Sequence, residues 1–286
     1  LDGMFTGRSN AMQAAMNGEL SFSGDTAKAM TLTHIQDDLN RLYAAAREEL
    51  GDPGDLASLP DPQASAAAPA AAAADEGGIR RQLCGIVEEL FTAQLITSTG
   101  GNVSARIPEH PDEVWITPSQ LFKGDLSPEI LVRIGMDGRA LDPESRSPSS
   151  EALMHTAVFR AKPEAQAVIH CHAPHATILV NAGLAFLPVS TEAAFFHKIG
   201  RVPFFMPGTQ ELADAVVEAL SDGWAVLLQN HGLLVAGRSL RRAADMAEII
   251  ERSSELILGC YAVGKEPPVL PEETVEMLSS LGDVMA

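Results

Sequence analysis

Three histidines stand where imidazoles could bind a metal. His170 and His172 flank Cys171 inside the apolar run AVIHCHA. On a strand, residues i and i+2 share one face, so both rings would form a two-point platform for a divalent cation. Two hydrogen-bonded histidines are the competing reading of a His-x-His pair. His231 follows Gln229-Asn230 and precedes Gly232 between two apolar segments, a placement that suits the end of a hairpin. A third imidazole there would complete an open three-histidine site with positions left for substrate oxygens. His34, His110, His155, His175 and His197 have no partner at ligand spacing, and structural roles are expected for them.

Two further clusters carry chemistry. Ser149-Ser150-Glu151 opens a helical stretch, where a serine cap and an acid in the first turn suit the helix dipole. The functional alternative uses the free N–H groups and hydroxyls to hold an anion, with Glu151 as a general base near a metal. Thr99-Gly100-Gly101-Asn102-Val103-Ser104 is suited to close approach of an oxyanion, or equally to a tight turn. It has neither the spacing of a dinucleotide fingerprint nor that of a Walker loop.

Strands are expected at VWITP, LVRIG, AVIHCHA and AVLLQNHGLLVAG, and helices at about 149–161, 172–182, 209–221 and 239–263. An amphipathic helix places Leu83, Ile86, Val87, Leu90, Phe91 and Leu95 on one stripe. The alternation predicts a layered α/β or α+β domain over 79–286. Residues 51–78, with four prolines and many alanines and glycines, read as a solvated linker. Residues 1–50 hold a short strand around Leu20 and Phe22, then a helix with Ile35, Leu39, Leu42 and Tyr43 on one face. Fifty residues are marginal for an independent core.

The 286 residues are 46% hydrophobic and 20% charged, ordinary for a globular chain of about two domains. No apolar run is long enough for a membrane helix, and no signal peptide is visible, although the first residue is Leu1. Twenty basic against 38 acidic residues give a net charge of −18, which disfavours binding a phosphate backbone. Cys84, Cys171 and Cys260 are sparse and unpaired by spacing, as expected in a reducing cytoplasm.

Taken in order, STGGNVSAR, WITPSQ, PSSEALMHTAVFRAKPEAQAVIHCHAPHATIL and LLQNHGLLVAG resemble the class II aldolase/adducin family over about residues 79–275. The resemblance implies a three-layer α/β/α fold on a central mixed, largely antiparallel sheet. It further implies a homotetramer and a divalent metal on His170, His172 and His231. That metal would be zinc, or one of Mn2+, Fe2+ and Co2+, which three imidazoles also suit. The family's acid/base falls on Glu151, and its substrate-phosphate loop on Thr99, Gly101, Asn102, Ser149 and Ser150. The N-terminal FTGRSNAMQAAMNGELSFSGDTAKAM resembles the C-terminal part of a sterol-carrier-protein domain. With half of such a domain absent, a truncated accessory piece is expected and no lipid binding is assigned.

Two positions depart from the aldolase pattern. Its phosphate-binders read Thr-Pro-Ser/Thr-Gly, but Gln120 stands in the last place, so a phosphorylated substrate is less secure. Where its sugar-phosphate aldolases carry a tyrosine proton donor, this chain has Pro188-Val189-Ser190-Thr191-Glu192. Glu192 is thus a candidate acid/base or a capping acid. The expectation is a cytoplasmic, zinc-dependent lyase that reversibly cleaves a small hydroxy-carbonyl substrate through a metal-stabilised enediolate. Decarboxylation, epimerisation or dehydration on the same site are alternatives. So is a non-catalytic, adducin-like interaction module, which would have lost its metal ligands.

Overall fold

The computed structural model describes residues 76–196 and 198–285. The readings made above for 1–50, for the linker up to residue 75 and for His34 and His197 lie outside them. Helix α1 (Glu76–Thr92) opens within the stretch read as linker. Leu83, Ile86, Val87 and Leu90 recur at helical spacing and are all buried. The helix stops where Gln94 turns left-handed (φ 61°) and the Leu95 N–H bonds back to Leu90. Leu95 therefore joins the core from beyond the helix, while Phe91, expected on the buried stripe, is 42% exposed.

Seven strands follow: β1 (Asn102–Ile107), β2 (His110–Ile116), β3 (Val132–Gly135), β4 (Ala167–Cys171), β5 (Ile199–Val202), β6 (Ala225–Leu228) and β7 (Gly232–Gly237). They form one sheet in the order β3-β2-β1-β4-β7-β6-β5. Every neighbouring pair is antiparallel except β5 and β6, which run parallel. All residues of β4, β6 and β7 are buried, so both faces of the sheet centre are covered, as their unbroken apolar runs require.

The cover comes in two sets of helices. On one side α1, α3 (Pro174–Asn181) and the long α6 (Leu240–Ala262) pack on each other and on β1, β4 and β7. On the other, α2 (Ala152–Ala161) and α5 (Gln210–Leu220) pack together against β4, β5 and β6. The result is the expected three-layer α/β/α arrangement on a mixed, largely antiparallel sheet. Two further helices, α4 (Thr191–Phe195) and α7 (Glu272–Met285), pack on one another. Ser190, Thr209 and Ser239 cap α4, α5 and α6 through their hydroxyls. Among the described residues no helix is long and apolar enough to cross a membrane.

Five elements differ from the sequence expectation. β1 is a strand where a loop and turn were read, and β5, α4 and α7 were not anticipated. α2 begins at Ala152, not near 149. The Ser119 N–H bonds to Ser147 (2.9 Å) and the Ser149 N–H to Thr117 (3.2 Å), which clamps the Pro148 segment beside Pro118 and keeps it extended.

Candidate metal centre

The imidazoles come from two adjacent strands. His170 lies in β4 opposite Asn102 of β1 and Leu234 of β7. Its Nδ1–H donates to the Leu233 carbonyl (3.1 Å); a carbonyl only accepts, so this bond fixes the tautomer and leaves Nε2 bare. His172 stands just beyond the end of β4, its backbone N–H held by the Leu95 carbonyl (2.8 Å). His231 occupies the turn between β6 and β7, as expected of a hairpin end. Asn230 beside it takes a left-handed conformation (φ 57°), its N–H bonded to the Asn181 side chain (2.7 Å). The ring centroids of the three are 4.6–5.8 Å apart, and one nitrogen from each lies within 4.8 Å of the others.

The glycines beside them are needed for this closeness. A Cβ on Gly100 would stand 2.7 Å from His172 Nδ1, and one on Gly232 2.3 Å from the Cys171 carbonyl. Gly101, at φ 80°, would drive a Cβ into Ile96. The Gly-Gly pair thus lets the chain lie against the histidines, a role the sequence did not suggest.

Glu151 closes the fourth side. It is the N-cap of α2, yet its side chain makes no capping bond. Instead Oε1 lies 3.1 Å from His231 Nε2, and Oε2 lies 3.3 Å from His170 Nε2. Asn102 Nδ2 donates to Oε2 (2.9 Å). Asn102 Oδ1 must then accept, which it does from His155 Nε2–H (2.5 Å), and His155 Nδ1 accepts from the Ser104 hydroxyl (2.7 Å). His155, one helical turn after Glu151, is thereby a positioning residue that its Glu-x-x-x-His spacing could have signalled.

The electrostatics suit a cation. Burial pushes His170 down to about 3 and His155 to about 4, so both rings are neutral. Burial also lowers His172. Burial would raise the Glu151 carboxyl, but His170, His231 and the Asn102 amide outweigh it and hold the group well below the usual carboxylate range. Of the five buried side-chain atoms without a hydrogen-bond partner among the described residues, three gather here, His170 Nε2, His231 Nδ1 and Glu151 Oε1; the others are Arg80 Nε and Trp115 Nε1. Such orphans are rare in a satisfied interior. Imidazoles converging beside a carboxylate are the donor set a divalent metal takes.

The remaining candidates divide. Ser149 is buried and its hydroxyl accepts from the Glu151 N–H (3.3 Å), while Ser150 and Thr99 are exposed. Asn102 is occupied by Glu151 and His155. Gln120 takes the left-handed conformation (φ 54°) that glycine would adopt most easily, and adds an exposed side chain there. Glu192 is exposed in the first turn of α4, where it accepts from the Thr191 hydroxyl (3.1 Å), an arrangement that suits a capping acid. Within this chain no described contact joins it to the histidines.

Residues 81–258 match the family model described as Class II Aldolase and Adducin N-terminal domain. The chain belongs to this family. It is 34% identical over 201 residues to 5-deoxy-D-ribulose 1-phosphate aldolase of Bacillus thuringiensis serovar kurstaki, covering 70% of this chain and 93% of that one. It is 29% identical to 3-oxo-tetronate 4-phosphate decarboxylase of Escherichia coli, over 67% of this chain and 90% of the relative. Among solved structures, an L-fuculose 1-phosphate aldolase matches with a TM-score of 0.65 and 28% identity, over 71% of this chain and 95% of that one. The class II aldolase fold expected from the sequence is thus present, and the matched span holds all three histidines and Glu151.

Proposed function

We propose that this protein is a metal-dependent class II aldolase-type lyase that reversibly cleaves a carbon–carbon bond in a small hydroxy-carbonyl compound. The observation that carries the reading is the unpartnered Nε2 of His170, a ring kept neutral by burial, beside an ionised Glu151, with His172 and His231 converging on the same point. A divalent cation held by His170, His172 and His231, zinc first, would lower the energy of negative charge developing on adjacent substrate oxygens. In the cleaving direction the β-hydroxyl gives its proton to water, the carbon–carbon bond breaks and the electron pair stays on the carbonyl fragment. Glu151, having taken up a proton from water, passes it to that carbon, and in the condensing direction its carboxylate removes one. Its Oε1 is free for this, while Asn102, His155 and Ser104 hold Oε2 in place.

The aldolases this chain is similar to are named for sugar 1-phosphates, which supports a phosphorylated substrate lying along Thr99–Asn102 and Ser149-Ser150 with Gln120 re-lining that end. Decarboxylation is the second reading, favoured by the decarboxylase among the relatives, since the same centre stabilises a carbanion after loss of carbon dioxide. An adducin-like module without catalysis would not keep three converging imidazoles and their carboxylate. We place the enzyme in the cytoplasm as a homotetramer, as the family resemblance implies.

Elemental analysis tests the reading. About one divalent ion per chain in the wild type, lost in His172→Ala, is expected, followed by turnover of a hydroxy-carbonyl panel. No ion in either protein after supplementation overturns it.

A further inference from the structure

The three histidines are held to different degrees. His170 lies within the sheet, paired on both sides, and the Leu233 carbonyl fixes its ring. His172 is tied through its own N–H to the distant Leu95. His231 stands in the turn between β6 and β7, its N–H bonded within that turn to the Leu228 carbonyl (3.2 Å). Its ring Nδ1 has no hydrogen-bond partner. A metal-binding imidazole is ordinarily aimed by a bond to its second nitrogen. Here the backbone of the turn must do the aiming.

That turn has two accessible forms. Leu228 and His231 close it, with Gln229 and Asn230 at its centre, and of these two only Asn230 has a positive φ (57°), as in a type II turn. Turning over the peptide between Gln229 and Asn230 would give the commoner type I form and return Asn230 to negative φ. The N–H of this very peptide donates to Asn181 Oδ1 (2.7 Å). The Gln229 N–H is held as well, by the Val202 carbonyl (2.9 Å), but it belongs to the preceding peptide, which the flip leaves in place.

Asn181 is the last residue of α3, and Pro174, the first, stands two positions after His172. Ala176, Leu179 and Val180 are buried and root this helix in the fold. Its eight residues span about 12 Å. One end of α3 is thus joined to His172 by the chain, and the other to the His231 turn by a single hydrogen bond.

We infer that Asn181 is a positioning residue of the metal centre: its side-chain carbonyl holds the Gln229–Asn230 peptide in one orientation, so that α3 sets His231 relative to His172. The inference rests on the metal centre of the lyase reading. Asn181 and Asn230 are both exposed, so water replaces the acceptor when Asn181 is removed and folding loses little. What is lost is the direction of the turn, and with it part of the metal affinity.

The test measures zinc affinity by chelator competition in the full chain, for wild type, Asn181→Ala and Asn181→Asp, beside the melting temperature of each metal-free protein. The cobalt(II)-loaded forms report ligand geometry through their visible absorption. Asn181→Ala is expected to bind zinc about 3- to 10-fold more weakly and to shift the cobalt spectrum, with metal-free melting unchanged. Asn181→Asp keeps an acceptor oxygen and should restore both affinity and spectrum. Wild-type affinity and spectrum in Asn181→Ala overturn the role, as does a loss that Asn181→Asp shares. A metal-free Asn181→Ala that melts low enough to account for the lost affinity makes the bond a merely structural one and overturns the role too. Each of these leaves the metal centre standing, whereas a wild type that takes up neither zinc nor cobalt overturns the centre and the role together.

Discussion

Two glutamates, each beside a helix N-terminus and a histidine, are used in opposite ways. Glu251 of α6 reaches the start of α3. There Oε1 accepts from the His175 N–H (3.0 Å) and its Nδ1–H (2.7 Å), and Oε2 from the Ala176 N–H (2.9 Å). Both of its oxygens are occupied, and the cluster is a cap that ties α6 to α3. Glu151 sits at the start of α2, makes no capping bond, and has an Oε1 without a hydrogen bond near the equally bare Nε2 of His170. The same residue pair, satisfied in one place and unsatisfied in the other, separates a structural joint from the centre proposed to be reactive.

Substitutions can break that contrast. Glu151→Gln removes the carboxylate but keeps its shape, and kcat is expected to fall about 100- to 10,000-fold with zinc content retained; single-turnover assays and elemental analysis would show it. If kcat is unchanged, Glu151 is no acid/base and the two glutamates are alike after all. Glu251→Ala should do the reverse, lowering stability by about 1–3 kcal/mol in urea melts while kcat stays within a few-fold. The smallest effect belongs to Ser104→Ala, at the outer end of the chain behind Glu151. Leaving His155 Nδ1 without its donor should cost about 1 kcal/mol and lower kcat only a few-fold. A fall as large as that of Glu151→Gln would show that the network acts as one unit.

Much of this centre was legible because its residues announce themselves by spacing. His170 and His172 fall on one face of a strand, and His231 on a turn between two apolar runs. The layers followed from apolar runs too unbroken to be half-exposed. β1 does alternate, with Val103, Ala105 and Ile107 between Asn102, Ser104 and Arg106, but the Gly-Gly pair just before it reads as a loop, and its polar residues Asn102 and Ser104 are buried only by the site they build. β5 is short, and its Gly200 is there because a Cβ would stand 2.1 Å from the Ala219 carbonyl, a tertiary reason no local pattern carries. Phe91 continues the helical stripe on paper, but the helix turns it outward.

The sheet order also has a kinetic consequence. β4 is flanked by β1 from before it and β7 from well after it, so the segments around Gly100, Glu151, His170 and His231 meet only once these distant strands have paired. Loop closure on that scale is slow compared with helix formation. A metal held by the three histidines would therefore enter late in folding, and once bound would favour the finished sheet over everything that precedes it.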